Sequence, residues 1–83
     1  MMYELIYAKK FFKQLKKLNR EIQKRILLSL ERIRIRPFHF IRKLVGLPYF
    51  KLRVGDYRVI LKIDERNKKI LLLYVGHRKE MYK

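Results

Sequence analysis

The stretch Phe50-Lys-Leu-Arg-Val-Gly-Asp-Tyr-Arg-Val-Ile-Leu-Lys-Ile63 has the pattern of a β-hairpin. Its first half alternates apolar residues with cations, in the order Phe50, Lys51, Leu52, Arg53 and Val54. A period of two is typical of a strand with one buried face. Residues 55–56, with glycine first, suit a two-residue type II′ turn. This turn predicts that Arg53 lies opposite Arg58 and Lys51 opposite Ile60.

The residues before the hairpin predict one strand and two helices. Residues 3–7 are rich in strand-forming side chains. From Ala8 the apolar spacing becomes helical, and Asn19 ends the first helix and caps the second. The apolar positions of the two helices are Phe11, Phe12, Leu15 and Leu18, then Ile22, Ile26, Leu30 and Ile33. Pro37 stops the second helix, and residues 37–48 are predicted to be irregular.

An apolar strand over residues 69–75, after a turn at 64–68, completes an α+β fold. The predicted order is β-α-α-β-β-β within a single domain, residues 1–83. We expect a small antiparallel sheet with the N-terminal helical hairpin packed on one face. The other face of the sheet is then open to a ligand.

The composition is strongly basic. Lys and Arg number 23 against 7 Asp and Glu in 83 residues, which gives a formal net charge of +16. Such a chain repels itself, so it favours a polyanion or an acidic protein as its partner. Residues 8–36 alone hold 11 Lys or Arg and two Glu, which suits docking onto ribosomal RNA or DNA.

Missing residue types exclude several chemistries. The chain has no Cys, which rules out disulfides, thiolate catalysis and the usual structural zinc sites. Ser29 is the only serine and lies within a predicted helix, and no glycine-rich loop resembles a nucleotide cradle. His39 and His77 are far apart in sequence, so we expect neither a metal nor a cofactor. No apolar stretch is long enough to span a membrane and no leader sequence is evident, so the expected location is the cytoplasm.

The predicted register gathers Lys51, Arg53 and Arg58 on one face of the hairpin without an acidic neighbour. Like charges opposite one another destabilise a sheet, so the pattern favours a phosphate-binding surface over the alternative, a merely solvated face of a basic protein. Four tyrosines are interleaved with the cations, namely Tyr49, Tyr57, Tyr74 and Tyr82. Cations mixed with aromatic rings on an open sheet suit single-stranded nucleic acid, and Tyr82 is the best candidate to contact it.

Three blocks of the sequence resemble the RelE/ParE superfamily of toxins from toxin–antitoxin systems. They are Lys43-Leu-Val-Gly46, Phe50-Lys-Leu-Arg-Val-Gly-Asp-Tyr-Arg-Val59 and Val75-Gly-His-Arg-Lys-Glu-Met-Tyr82. A toxin of the RelE branch enters the vacant ribosomal A site and cleaves the mRNA there without a metal, which leaves a 2′,3′-cyclic phosphate and a 5′-hydroxyl. The resemblance therefore implies a ribosome-dependent endoribonuclease that inhibits translation. It also implies a cognate RelB-like antitoxin, bound to the toxin in a heterotetramer.

The same resemblance implies a set of site residues. The positions that match the functional residues of the family are Lys51, Arg53, Arg58, His77, Arg78 and Tyr82. Lys51, crowded by two arginines, is the candidate base for the ribose 2′-hydroxyl, and Arg58 would hold the phosphate. Arg78 or His77 would stabilise or protonate the departing 5′-oxygen. Tyr82 would stack on a base or position it.

Two other functions stay open. The ParE branch of the superfamily poisons DNA gyrase and does not cut RNA. Members of that branch typically lack the full basic set with the C-terminal tyrosine, so the sequence favours RelE. Outside the superfamily, a non-catalytic RNA-binding module predicts tight binding to bare RNA without any cleavage.

Overall fold

A helical hairpin packs on one face of a five-stranded sheet in the computed structural model, which describes residues 2–79. The elements are β1 (Glu4–Tyr7), α1 (Lys9–Lys16), α2 (Arg20–Ile35), α3 (Pro37–Phe40), β2 (Ile41–Lys43), β3 (Phe50–Val54), β4 (Tyr57–Asp64) and β5 (Lys69–His77). The strands lie in the order β1-β5-β4-β3-β2. The α+β class and the two predicted helices are confirmed.

Helix α2 begins and packs as its sequence predicts. The Ile22 backbone N–H donates a hydrogen bond of 2.9 Å to the side-chain oxygen of Asn19, which caps the helix. The apolar stripe of Ile26, Leu30 and Ile33 is fully buried in the core. None of the helices within residues 2–79 is both long and apolar enough to cross a membrane.

One strand pair departs from the expected antiparallel arrangement, because β1 runs parallel to β5. The pairs β2–β3, β3–β4 and β4–β5 are antiparallel. The whole domain separates β1 from β5 along the chain, so no tight turn dictates their relative direction. Where β1 ends, α1 covers the edge of β5, and the Val75 N–H donates a hydrogen bond of 2.8 Å to Gln14 Oε1.

The segment expected to be irregular, residues 37–48, begins with regular structure. Pro37–Phe40 form the short helix α3, with the proline in its first turn, and Ile41–Lys43 form β2 at the edge of the sheet. Ile41 lies opposite Leu52, and Arg42 lies opposite Lys51. The prediction is wrong for residues 37–43 because elements of three or four residues are too short to show a period in sequence.

The β3–β4 hairpin has the predicted register. Arg53 lies opposite Arg58, and Lys51 lies opposite Ile60. Gly55 has a φ of 59° and the residue after it has a negative φ, which fits the predicted type II′ turn. The two-residue turn therefore decides which side chains share a face of the sheet.

Candidate nucleic-acid interface

The face of the sheet turned away from the helices, called the outer face below, carries a group of cations where β2, β3 and the start of β4 meet. These are Arg42 of β2, Lys51 and Arg53 of β3, and Arg58 of β4. Their neighbours along the strands, such as Leu52 and Val59, belong to the core on the helix side. Arg42 lies opposite Lys51 and Arg53 opposite Arg58, so the four cations form a compact group.

The four cations line a cavity of about 350 Å³ together with Phe40 at the end of α3. We call it the outer cavity. Every charged residue that lines it within the described part of the chain is a cation. Positive groups gathered in this way repel one another, and a bound anion removes that repulsion. Because arginine binds phosphate through paired donors, the outer cavity is suited to a phosphate group.

An apolar floor lies beside these cations. Ile60 is on the outer face but only 4% exposed, and the register places it between Lys51 and Tyr74. Long side chains such as lysine can cover a residue of this kind with their aliphatic stems. Lys51 is itself half-buried.

Arg53 connects the outer cavity to a second basic surface. Its Nε donates a hydrogen bond of 3.3 Å to the carbonyl oxygen of Gly55, which draws the guanidinium towards the hairpin turn. It also lines a cavity of about 280 Å³ with Arg25 and Arg32 of α2. The cationic surface thus continues from the outer face around the hairpin to helix α2.

A bulge in β5 decides which of its last residues face outward. The register between β4 and β5 shifts at Ile60/Leu61, which leaves Leu73 without an opposing residue. After the bulge the alternation of faces is inverted relative to the first half of the strand. The residues on the helix side are Leu72, Val75 and His77, and those on the outer face are Tyr74 and Gly76.

The structure places His77 away from the outer cavity. It lies opposite Tyr57 on the helix side, with the two ring centroids 5.2 Å apart. It lines a different cavity, which also includes Gln14 of α1. The Lys79 N–H donates a hydrogen bond of 3.2 Å to His77 Nδ1. The position of His77 therefore does not support its expected part in chemistry at the outer cavity.

Arg78 is the first residue after β5, two positions beyond the outward-facing Gly76. Its backbone N–H donates a hydrogen bond of 2.7 Å to the carbonyl oxygen of Asp56, which fixes the residue beside the β3–β4 turn. Arg78 is exposed. Of the predicted site residues, the structure brings Lys51, Arg53 and Arg58 together and places Arg78 at the turn beside them. Tyr82 lies outside the described residues.

Two residues of the outer cavity were not predicted from the sequence. Phe40 and Arg42 fall within residues 37–48, for which no regular structure is expected. The available signal is the alternation of Ile41 and Arg42, with one apolar residue followed by a cation. This signal becomes informative only when β2 is recognised as a strand that pairs with β3.

The fold and the sequence together define the class of this protein, which is a toxin of a type II toxin–antitoxin system. The family model described as the ParE toxin of the type II toxin–antitoxin system, parDE, matches residues 5–82. The chain therefore belongs to this family, within the RelE/ParE superfamily.

Crystal structures of RelB–RelE complexes contain chains of the same fold. One from Methanococcus jannaschii is 31% identical, with a TM-score of 0.77, and the match covers 94% of this chain and 95% of that one. One from Pyrococcus horikoshii is 28% identical, with a TM-score of 0.82 and coverage of 94% and 97%. A chain of the Mycobacterium tuberculosis RelBE2 complex has a TM-score of 0.87 at 22% identity, with coverage of 94% and 100%. No protein of curated function matches the sequence.

Proposed function

We propose that this chain is a RelE-type toxin that cleaves mRNA in the ribosomal A site and thereby inhibits translation. The observation that carries the proposal is the convergence of Lys51, Arg53 and Arg58 on the outer cavity. Membership of the toxin family supports the class of activity, and the similarity to RelE chains supports the RelE branch.

The reaction is an intramolecular transesterification at one phosphodiester of the RNA. The ribose 2′-oxygen attacks the adjacent phosphorus and the P–O5′ bond breaks, which gives a 2′,3′-cyclic phosphate and a 5′-hydroxyl. Lys51, in its neutral amine form, takes the proton of the 2′-hydroxyl and becomes an ammonium, because guanidinium groups stay protonated at neutral pH and cannot act as bases. The departing 5′-oxygen then takes a proton from water.

The arginines stabilise charge that develops during this step. Arg53 and Arg58, opposite one another on the hairpin, hold the non-bridging oxygens of the phosphate. Arg78, fixed through its backbone beside the hairpin turn, stabilises the charge on the 5′-oxygen. Groups already held in place before the reaction cost little reorganisation at the transition state, which is why such cations accelerate it.

Ribosome dependence and an antitoxin partner belong to the same proposal. One amine and a few fixed cations do not align the 2′-oxygen with the leaving group, so the ribosome must shape the RNA. The basic residues of α1 and α2 dock the toxin on ribosomal RNA. A RelB-like antitoxin, present in the complexes of the relatives, neutralises part of the +16 charge, and we expect a heterotetramer.

Cleavage of mRNA on programmed ribosomes tests the proposal. Purified toxin should cut the mRNA within a vacant A-site codon and should cut the same free mRNA far more slowly. Arg58→Ala should abolish most of the cleavage. Lys62→Ala is the matched control, since Lys62 is an exposed cation of the same strand that does not line the outer cavity. An mRNA left intact by the wild-type toxin contradicts the proposal.

Poisoning of DNA gyrase is the second candidate, because the matching family is that of the ParE toxin. It predicts that the toxin leaves ribosome-bound mRNA intact while gyrase and plasmid DNA together yield cleaved DNA. If mRNA and plasmid both stay intact and RNA is nevertheless bound tightly, the chain is a binding module.

A further inference from the structure

Phe40 is an exposed aromatic residue at a cavity that is otherwise cationic. It is 43% exposed and lines the outer cavity with Arg42, Lys51, Arg53 and Arg58. The His39 and Phe40 rings meet edge to face with centroids 4.9 Å apart, a contact that orients the Phe40 ring. The exposed Phe40 ring beside the cations offers a flat apolar surface to a ligand.

Arg42 adds a charge that the proposed cleavage step does not use. It is exposed, and it extends the group of cations towards the sheet edge formed by β2. It lies opposite Lys51, the proposed base, rather than opposite the phosphate-binding pair Arg53 and Arg58. Phe40 and Arg42 therefore lie on the β2 side of the outer cavity, beside the residues proposed to hold the reacting phosphate.

A nucleotide presents the two features that this pair would recognise, a flat π surface and a negative phosphodiester. We propose that Phe40 and Arg42 form a nucleotide subsite beside the scissile phosphate, in which Phe40 stacks on a base and Arg42 binds the neighbouring phosphodiester of the RNA. This inference rests on the proposed function, in which RNA occupies the outer cavity. The surrounding cations favour RNA over an apolar segment of a protein, because an apolar segment would leave their charge unneutralised.

Binding of a short 2′-O-methyl RNA oligonucleotide, which cannot be cleaved, tests the subsite by fluorescence anisotropy at low salt. Phe40→Ala should raise the dissociation constant by about 5- to 150-fold, the usual effect of removing an aromatic ring on which one base stacks. Phe40→Tyr should restore binding, since it keeps the ring. Arg42→Ala should reduce the slope of log affinity against log salt by about 0.7, which corresponds to one phosphate contact on a single strand.

Two matched controls separate stacking from loss of structure. Phe38 belongs to the same short helix and is 48% exposed, but it packs against the Phe50 ring and does not line the outer cavity. Phe12 of α1 is 47% exposed. Phe38→Ala and Phe12→Ala should both bind RNA as the wild type does, and thermal melting of each variant confirms its fold.

A cycle with abasic oligonucleotides identifies the stacked base. In a series of oligonucleotides, each lacks the base at a different position. The wild type should bind one of them more weakly than the rest, namely the one that lacks the stacked base. With that oligonucleotide, Phe40→Ala should bind as tightly as the wild type does. If Phe40→Ala binds every oligonucleotide as Phe38→Ala does, the subsite is refuted. If Phe40→Ala changes only the affinity for the antitoxin, the ring belongs to a protein interface and the subsite is again refuted.

The outcome for the subsite is separable from the outcome for the proposed function. If the wild-type toxin cuts ribosome-bound mRNA and Phe40→Ala binds the oligonucleotide as tightly as the wild type, only the subsite is refuted. A wild-type toxin that binds the oligonucleotide with no preference for any base and cuts no mRNA refutes both.

Discussion

Arg53 and Arg58 lie directly opposite one another across the β3–β4 hairpin. Two like charges in a cross-strand pair oppose strand pairing, by up to about 1 kcal/mol. Arg42 and Lys51 form a second cationic pair on the same face. Both pairs oppose strand pairing in the free protein, and the same arrangement of cations favours a bound phosphate.

Replacement of Arg53 by threonine should leave the protein at least as stable as the wild type while it lowers toxicity. Threonine is a good strand former, and the change removes the repulsion from Arg58. Thermal melting measures the first effect, and growth after induction measures the second. Val54→Thr is the control, because it places a hydroxyl in the core next to the same turn and should lower the melting temperature. A clear fall in melting temperature for Arg53→Thr would show that this arginine is structural.

Replacement of Gly55 by alanine should destabilise the hairpin by about 1–2 kcal/mol, the cost of a left-handed φ for a residue with a side chain. Its φ is 59°, and an added Cβ would lie 3.4 Å from the guanidinium of Arg25. For a domain of this size we expect the melting temperature to fall by roughly 4–8 °C per kcal/mol.

Gly46→Ala separates the two contributions at Gly55. Gly46 has a φ of 73°, and an added Cβ there would have no atom within 4 Å. Its loss of stability should therefore reflect the backbone alone, and the loss at Gly55 should be similar, because 3.4 Å is an ordinary contact with the end of a flexible side chain. Equal melting temperatures for both variants and the wild type would contradict the strain argument.

The β4–β5 turn should show a pH dependence set by Asp64. The Asn67 side-chain amide donates a hydrogen bond of 2.8 Å to Asp64 and the Asn67 backbone N–H donates one of 3.1 Å, and together they lower the pKa of Asp64. A lowered carboxyl pKa contributes stability above the unfolded-state pKa, and this contribution is lost as the pH falls through the folded-state pKa.

Asn67→Ala should raise the pKa of Asp64 towards its ordinary value, because it removes the side-chain hydrogen bond, the largest cause of the shift. Titration of the Asp64 carboxyl carbon by NMR below about pH 5 measures the change. Asn19→Ala, which alters a helix cap elsewhere, is the control and should leave the Asp64 titration unchanged. An Asp64 pKa that is the same in Asn67→Ala and the wild type would contradict the assignment.

The part of the site on the β3–β4 hairpin was predictable because a two-residue turn leaves a single register. Once Gly55 is placed at the first turn position, the pairing of Arg53 with Arg58 follows by counting. No such turn relates β1 to β5, and β2 is too short to show a period. The direction of β1 and the contribution of Arg42 to the outer face were therefore beyond a local analysis of the sequence.

The two faces of β5 were unpredictable for another reason. Adjacent residues of a strand point to opposite faces, so His77 and Arg78 could not both be on the outer face. Counting from Leu72 without a bulge would place His77 outward. The unpaired Leu73 inverts the alternation, which places His77 with the helices and leaves the outward direction to Arg78. Nothing in residues 69–75 marks this bulge.

Arg78→Ala provides the sharpest test of the proposed chemistry. We expect it to slow cleavage on programmed ribosomes by roughly two orders of magnitude, the scale of losing one fixed charge-stabilising group. Binding to the ribosome should change little, because many cations of α1 and α2 share the docking. Single-turnover cleavage and sedimentation with ribosomes measure the two effects separately.

Substitutions of the two neighbours of Arg78 show whether the effect depends on the face of the strand. Lys79→Ala removes an exposed cation next to Arg78 and should leave the cleavage rate close to that of the wild type, because the loss of one charge from +16 hardly alters the overall field. His77→Ala should slow cleavage far less than Arg78→Ala, because His77 lies on the helix side opposite Tyr57. An Arg78→Ala toxin that cuts at the full rate would show that Arg78 takes no part in cleavage. A His77→Ala toxin as slow as Arg78→Ala would instead show that the end of β5 rearranges on the ribosome to bring the imidazole to the RNA.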